Sequence, residues 1–248
     1  MDEPVRKNLL HVVKRNLRAA GRTQFMTRLV YIGEYKCSSE VLRKKMDSVI
    51  YKLTTEQNNV NITGMLLMYP NCFICLVETY EEIIFRYLKE VFEDKEFEIN
   101  FGTVIHLPVY YHAHQRFFTG WFTTFTKPPT LLDKLDASGI DELQKQMSNC
   151  VSKVYNLCEY IVDTRERNQV NTEEILNRVG ELVPQYLPES TVLEFLLKSK
   201  APVLTDIREY LKCYTAVPFI SFYNDKIWPA PGDLMPRDVF SVQAPRKN

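Results

Sequence analysis

The sequence predicts an α+β fold: one sheet with two helices on one face, then a helical region, then an extended proline-rich C-terminal segment. Three observations predict it. Short apolar runs alternate with two amphipathic helical stretches over residues 27–126. Pro128-Pro129 ends that unit, because proline stops both strands and helices. From residue 215 onward, prolines and aromatic side chains replace any periodic pattern.

Residues 27–126 predict the order β-α-β-β-α-β-β. The expected strands are 29–32, 62–69, 72–77, 100–107 and 117–125, with a tight turn at Pro70-Asn71. Ser38 or Ser39 caps the first helix. The two helices carry the apolar stripes Leu42, Met46, Val49, Ile50, Leu53 and Ile83, Ile84, Tyr87, Leu88, Val91, Phe92. Helices connected to one sheet in this order give the ferredoxin-like arrangement.

A basic amphipathic helix is expected within the N-terminal part, residues 1–26. Apolar residues recur at helical spacing, and the helix ends near Gly21. Six basic residues lie on it, namely Arg6, Lys7, Lys14, Arg15, Arg18 and Arg22. Two interpretations stay open: the helix packs on its own domain, or residues 1–22 meet an acidic surface on a protein partner.

Residues 127–214 predict a helical region. Its longest helix is expected over 131–162, with Leu143, Met147, Val151, Tyr155 and Cys158 near one face. Shorter helices are expected over 172–182, 190–198 and 204–214. Residues 215–248 predict an extended segment, because five prolines alternate with aromatic side chains there. That segment is expected to lie in a groove on a neighbouring protein rather than wrap its own domain.

The composition argues against three classes of protein: nucleic-acid-binding, membrane-spanning and secreted. The chain has 248 residues, with 31 Lys and Arg against 31 Asp and Glu, so it lacks the basic excess common in nucleic-acid-binding proteins. Its apolar runs are shorter than the roughly 20 residues that a membrane span needs. The N-terminus lacks the apolar core of a signal peptide. The six cysteines are scattered without a disulfide-framework spacing, which favours reduced thiols in the cytoplasm.

One series of motifs carries a family resemblance. The motifs are Leu29-Val30-Tyr31, Ile62-Thr63-Gly64-Met65-Leu66-Leu67, Phe73-Ile74-Cys75-Leu76-Val77-Glu78 and Arg116-Phe117-Phe118-Thr119-Gly120-Trp121. In this order and spacing they resemble the BLUF family, blue-light sensors that use FAD. The resemblance implies a BLUF-type ferredoxin-like sheet whose helix-covered face receives the flavin. It also implies that Tyr31 occupies the position of the tyrosine that binds the flavin in that family.

The ligand-binding positions of that family are altered here. The glutamine that hydrogen-bonds the flavin falls on Cys75, and a thiol is a weak donor and acceptor that cannot replace an amide. The asparagine that holds the ring falls on Gln57, but Asn58 and Asn59 follow it, so a shift of one residue would restore an asparagine. We therefore expect Tyr31, Gln57, Cys75 and Trp121 to be vestigial pocket positions with no cofactor. Tyr31 and Trp121 are then ordinary core residues with one satisfied polar atom.

The sequence gives little support for a metal site or a catalytic nucleophile. Cys72 and Cys75 have a metal-ligand spacing, but strand residues three apart point to opposite faces. His112 and His114 lie in an expected solvated loop with no third ligand near in sequence. The chain has neither a Gly-x-Ser-x-Gly elbow nor a phosphate-binding Gly-x-x-x-x-Gly-Lys loop. The sequence thus predicts no metal site, no catalytic residues and no enzymatic activity.

The whole chain, with its basic beginning and its aromatic, proline-rich end, resembles the vertebrate testis-expressed protein 47 family. That resemblance implies a germ-cell protein of the cytoplasm and cytoskeleton, in the cilium or sperm flagellum. The function expected first is a non-enzymatic structural or interaction protein in an axonemal assembly, which binds no nucleic acid and has no membrane span. The alternative is a small-molecule or flavin-binding sensor that uses the residual pocket.

Overall fold

The computed structural model describes residues 9–19, 21, 25–56, 60–93, 101–130, 139–199 and 201–215. Within these residues, six strands form one sheet: β1 (Met26–Tyr35), β2 (Thr63–Met68), β3 (Cys72–Tyr80), β4 (Phe101–His106), β5 (Tyr110–Ala113) and β6 (Trp121–Phe125). The strand order is β4-β1-β3-β2-β6, and β5 also pairs with β1. Every pairing is antiparallel except the parallel pairing of β2 with β6.

The first four strands confirm the predicted ferredoxin-like arrangement. Helix α2 (Ser39–Glu56) follows β1, and helix α3 (Glu81–Phe92) follows β3. Ser38 caps α2, as predicted, because its Oγ accepts a hydrogen bond from the Val41 amide at 3.3 Å. Gly64 in β2 has a φ of 151°, and a Cβ atom there would lie 2.0 Å from the Leu76 carbonyl oxygen. Only glycine therefore lets β2 approach β3 so closely.

One face of the sheet packs against α2 and α3 and forms the α2/α3 core. The residues from the strands include Leu29, Tyr31, Leu66, Phe73, Cys75, Val77 and Val104, and those from the helices include Leu42, Met46, Ile50 and Leu88. All of these are buried, whereas Trp121, predicted as an ordinary core residue, is half-buried at the edge of the core. A further helix, α8 (Ile207–Thr215), adds Ile207 and Leu211 to the same core.

The opposite face of the sheet is also covered, and it forms the α4–α7 core. Its helices are α4 (Ile140–Asn168), α5 (Thr172–Asn177), α6 (Val179–Leu182) and α7 (Ser190–Lys198). A short 3-10 turn, Pro184–Tyr186, lies between α6 and α7. The strand residues of this core include Val30, Ile32, Met65, Leu67, Ile74 and Leu76. The sheet is consequently buried on both faces, which explains its continuous apolar runs.

Two strand predictions are corrected by the structure. Residues 110–113, predicted as a solvated loop, form β5, because Tyr110 pairs with Arg28 and Ala113 with Met26. His112 interrupts this pairing with a φ of 61°. The last strand begins at Trp121 rather than at Phe117, because the Phe117 amide bonds the Glu78 carboxylate rather than a strand partner.

The predicted face of the long helix is corrected as well. Leu143 and Cys158 are buried as expected, but Met147, Val151 and Tyr155 are only half-buried. The buried stripe instead includes Cys150, Val154, Leu157 and Ile161. A spacing of four residues drifts about 40° per step around a helix of 3.6 residues per turn. Met147 and Val151 therefore lie at the margin of the packed face, where they still contact the core.

The N-terminal helix is present as α1 (Leu9–Ala19). Its end near Gly21 is confirmed, since Gly21 has a left-handed φ of 66° and its amide donates to the Arg18 carbonyl at 3.0 Å. The remaining predicted helix residues, 1–8, lie outside the described residues, as do 131–138 of the long helix and the segment after residue 215. The division of the chain at residues 26, 126 and 214 stays a prediction. No helix in the described part is long and apolar enough to cross a membrane.

Candidate functional site

Tyr31 and Cys75 stand directly opposite each other in the β1–β3 ladder. Both side chains point into the α2/α3 core, and neither has any exposed surface. The structure therefore brings together two of the four predicted pocket positions. Gln57 lies outside the described residues.

Tyr87 of α3 closes the space in front of Tyr31 and Cys75. Its hydroxyl lies 2.6 Å from the Tyr31 hydroxyl and 3.5 Å from the Cys75 sulfur. It also donates to the Met46 sulfur of α2 at 3.6 Å. The sequence pattern places Tyr87 in the apolar stripe of the second helix and does not indicate that its hydroxyl contacts Tyr31 and Cys75. The available signal was its hydroxyl, which is the one polar group in that stripe and needs a partner when it is buried.

Burial controls the ionisation of this cluster. It raises the pKa of Tyr31 and of Tyr87 well above the usual value, and the neighbouring Cys75 adds to both shifts. It raises the pKa of Cys75 to about 12, against the lowering effect of hydrogen bonding between this thiol and the hydroxyls of Tyr31 and Tyr87. All three groups are thus protonated at neutral pH. A protonated thiol is a poor nucleophile, so the cluster is suited to packing rather than to covalent chemistry.

The side chains present do not fit a flavin ring at this position. Tyr87 and Met46 already fill part of the space. Two more rings pack edge-on against Tyr31: the centroid of Phe73 lies 5.7 Å from that of Tyr31, and the centroid of Phe92 lies 6.0 Å from it. These contacts occupy the surface of Tyr31 and Cys75 that an isoalloxazine would need. The polar groups of both residues are already hydrogen-bonded to Tyr87.

Trp121 lies apart from this cluster, on β6. Its indole Nε1 donates to Asp47 Oδ1 of α2 at 3.0 Å, which ties the edge of the sheet to that helix. Partial burial raises the pKa of Asp47, and the bond from Trp121 opposes that rise. The polar atoms of Tyr31 and Trp121 are therefore both hydrogen-bonded, which agrees with the prediction that each has one satisfied polar atom.

A second buried polar cluster, which the sequence did not indicate, surrounds Glu78 of β3. Its carboxylate has no exposed surface and accepts from Arg28 Nε at 2.9 Å and from Thr63 Oγ1 at 3.1 Å. The amides of Phe117 and Phe118 donate to it at 3.0 Å and 3.2 Å. The Arg28 guanidinium also lies 3.8 Å from the centroid of the Phe117 ring. This Glu78 cluster joins β1, β2 and β3 to the loop that precedes β6.

Arg116 extends the Glu78 cluster at the protein surface. Its guanidinium donates to Thr63 Oγ1 at 2.8 Å and to the Glu78 carbonyl oxygen at 2.6 Å. The family motif that begins at Arg116 therefore serves to hold the loop on the sheet. Since the carboxylate of Glu78 is engaged on every side, it is not placed to act on a substrate.

The remaining candidate residues are also separated. Cys72 lies in the α4–α7 core and Cys75 in the α2/α3 core, so the two thiols face opposite sides of β3, as predicted. The His112 ring packs on Phe25 with centroids 4.2 Å apart, while His114 is exposed. All six cysteines are unpaired.

Comparison with known proteins gives one family and several solved structures. The family model described as Testis-expressed protein 47 matches residues 25–216. The solved structure of Klebsiella pneumoniae BlrP1 with FMN and cyclic diGMP is 21% identical over 40% of this chain and 26% of its own, with a TM-score of 0.32. A bacterial light-regulated adenylyl cyclase is 22% identical over 55% of this chain and 36% of its own, with a TM-score of 0.33.

BlrB, described as a BLUF protein in its dark state, is 15% identical over 50% of this chain and 94% of its own, with a TM-score of 0.33. The chain thus spans about a quarter of the length of the BlrP1 structure that it matches. The family model, in contrast, covers well over half of this chain. This protein belongs to the Testis-expressed protein 47 family.

Proposed function

We propose that this protein is a non-enzymatic structural or interaction protein built on a BLUF-like domain whose ligand position has become part of the core. The observation that carries the proposal is the contact of Tyr87 with both Tyr31 and Cys75, at 2.6 Å and 3.5 Å. A sensor that uses the residual pocket would need that space for its ligand. Three protonated, fully buried groups supply neither a nucleophile nor a base for catalysis.

The first expected result is that the protein binds no flavin. Purified from cells supplied with riboflavin, it should show no visible absorbance near the flavin bands and no bound flavin by mass spectrometry. Cys75→Gln should not restore binding, because Tyr87 would still fill the site. A stoichiometric yellow chromophore with a light-induced red shift would support the sensor alternative and reject this proposal.

Helix α1 supports the interaction part of the proposal. Lys14, Arg15 and Arg18 are exposed, whereas Val13 and Leu17 are half-buried and line a cavity with Phe25 and Phe85. The helix thus presents a basic surface to solvent while its apolar side faces the domain. We propose that this surface meets an acidic partner. The family name refers to expression in testis, and we propose that the partner belongs to the cytoskeleton of the sperm flagellum.

Co-sedimentation with salt-stripped, demembranated sperm flagella tests this function. Recombinant full-length protein should pellet with the flagella at low ionic strength and be released as salt is raised, because screening shortens the Debye length to about 8 Å at physiological ionic strength. Reversing three charges of α1 (Lys14→Glu, Arg15→Glu and Arg18→Glu) should move most of the protein to the supernatant.

The matched control reverses three exposed basic residues elsewhere, Lys44, Lys145 and Arg167, whose side chains are 69%, 65% and 78% exposed. This variant has the same net charge and should still pellet. Equal loss from both variants would indicate an unspecific charge effect. A wild-type protein that stays in the supernatant at low salt would reject the flagellar proposal.

A further inference from the structure

Two adjoining cavities between the sheet and α7 share Glu34 and Leu197. The first, of about 440 Å³, lies between the end of β1, the turn from β2 to β3 and the start of α7. The second, of about 590 Å³, continues past the end of α7 to the start of α8. Together they form one groove, which we call the α7 groove. Each cavity has the size of a typical ligand site.

Apolar side chains form much of the wall of the α7 groove, most of all in its first cavity. Tyr35, Pro70, Pro128 and Leu197 line the first cavity. The hydroxyl of Tyr69, another wall residue, donates to the Pro188 carbonyl oxygen at 2.9 Å, so it is already satisfied. Pro202 and Ala201 continue the apolar wall in the second cavity. Such a surface suits the apolar part of a ligand.

The charges in the groove favour a cation. Four acidic residues line it, Glu34, Glu194, Asp206 and Glu209, against two basic ones, Lys36 and Lys198. Asp206 is occupied with the amides of Val104 and Arg208, and Glu194 with Lys198 at 3.0 Å. Within the described part of the chain, the carboxylate of half-buried Glu34 makes no hydrogen bond or ion pair. It lies across Gly102, where a Cβ atom would come within 2.4 Å of its carboxylate.

We propose that the α7 groove binds an extended, basic segment of a partner protein, with an arginine or lysine side chain between Glu34 and Glu194. The succession of two adjoining cavities fits an extended chain, and the Glu34 carboxylate fits its positive charge. A long basic side chain also has the aliphatic stem that the Tyr35 and Leu197 walls would cover. The inference rests on the proposed function as an interaction protein, but it concerns a surface distinct from α1.

Fluorescence anisotropy with a labelled peptide of four Arg-Pro repeats tests the proposal on the full-length protein. Proline keeps such a peptide extended. Wild-type protein should bind it, and a matched peptide of four Glu-Pro repeats should not bind. The pair of changes Glu34→Gln and Glu194→Gln should weaken binding by about fivefold, as expected for the loss of two partly exposed ion pairs.

The matched control is Glu173→Gln with Glu174→Gln, two exposed acidic residues of α5 outside the groove, which change the net charge equally. This control should bind like the wild type. The single change Glu194→Gln is a second variant that should fold normally, because that side chain is 51% exposed. Absence of binding, or equal weakening in both pairs, would overturn the groove proposal. It would leave the flagellar proposal intact, because co-sedimentation reports on α1.

Discussion

Glu78→Gln should lower the free energy of unfolding by about 3–5 kcal/mol, the usual loss when one partner of a buried ion pair is removed. The Arg28 side chain is only 8% exposed and its partner carboxylate is fully buried, so the substitution leaves a charged guanidinium without a counter-charge. The amides of Phe117 and Phe118 would also face a weaker acceptor, because a neutral amide oxygen binds an N–H less strongly than a carboxylate.

Urea denaturation measures the loss, and Glu82→Gln is its control. Glu82 forms an ion pair with Arg86 at 2.9 Å, but both side chains are about half exposed or more, at 66% and 49%. That pair should contribute less than about 1 kcal/mol. Hydrogen exchange gives a second measurement, since the amides of Phe117 and Phe118 should exchange faster in Glu78→Gln. Equal, small losses in both variants would show that the Glu78 cluster is not a structural junction.

The α2/α3 core could be predicted from the sequence because strand alternation is local. Leu29 and Tyr31 are two residues apart on β1, and Phe73 and Cys75 are two apart on β3, so each pair shares a face. Two amphipathic helices follow in the ferredoxin-like order, and in that arrangement both helices pack on this face of the sheet. The order and facing of these elements therefore follow from short stretches of sequence.

The second core was not predicted, although the sequence carries a signal for it. Val30 and Ile32 are as apolar as Leu29 and Tyr31, and Ile74 and Leu76 are as apolar as their neighbours. A strand that is apolar on both faces indicates a sheet buried on both sides. The cover comes from α4 to α7, whose place against the sheet depends on long-range packing that periodicity does not encode.

The polar clusters could not be predicted for the same reason. The hydroxyls of Tyr31 and Tyr87 meet across 56 residues, and Arg28 meets Glu78 across 50. The resemblance to a flavin sensor drew attention to Tyr31 and Cys75, but it could not show which side chain fills the space between the sheet and the helices. Tyr87 does so because α3 lies directly over β1 and β3, a geometry that only the fold provides.

Leu66→Ala and Leu67→Ala should each destabilise the protein by about 2–5 kcal/mol, the usual range for emptying a buried leucine site. These neighbours in β2 have no exposed surface, but they point in opposite directions. Leu66 belongs to the α2/α3 core and Leu67 to the α4–α7 core. Each substitution leaves a cavity in a different core, and well-packed surroundings relax only partly to fill it.

The comparison of the two variants by urea denaturation tests whether the sheet is buried on both faces. Val203→Ala is the control, because that side chain is 63% exposed and its loss should change the free energy of unfolding by less than about 0.5 kcal/mol. A large loss for Leu66→Ala with almost none for Leu67→Ala would mean that α4 to α7 do not stabilise the sheet. Comparable losses would mean that α4 to α7 stabilise the sheet about as much as α2 and α3 do, since each core then contributes to the stability of the same central strands.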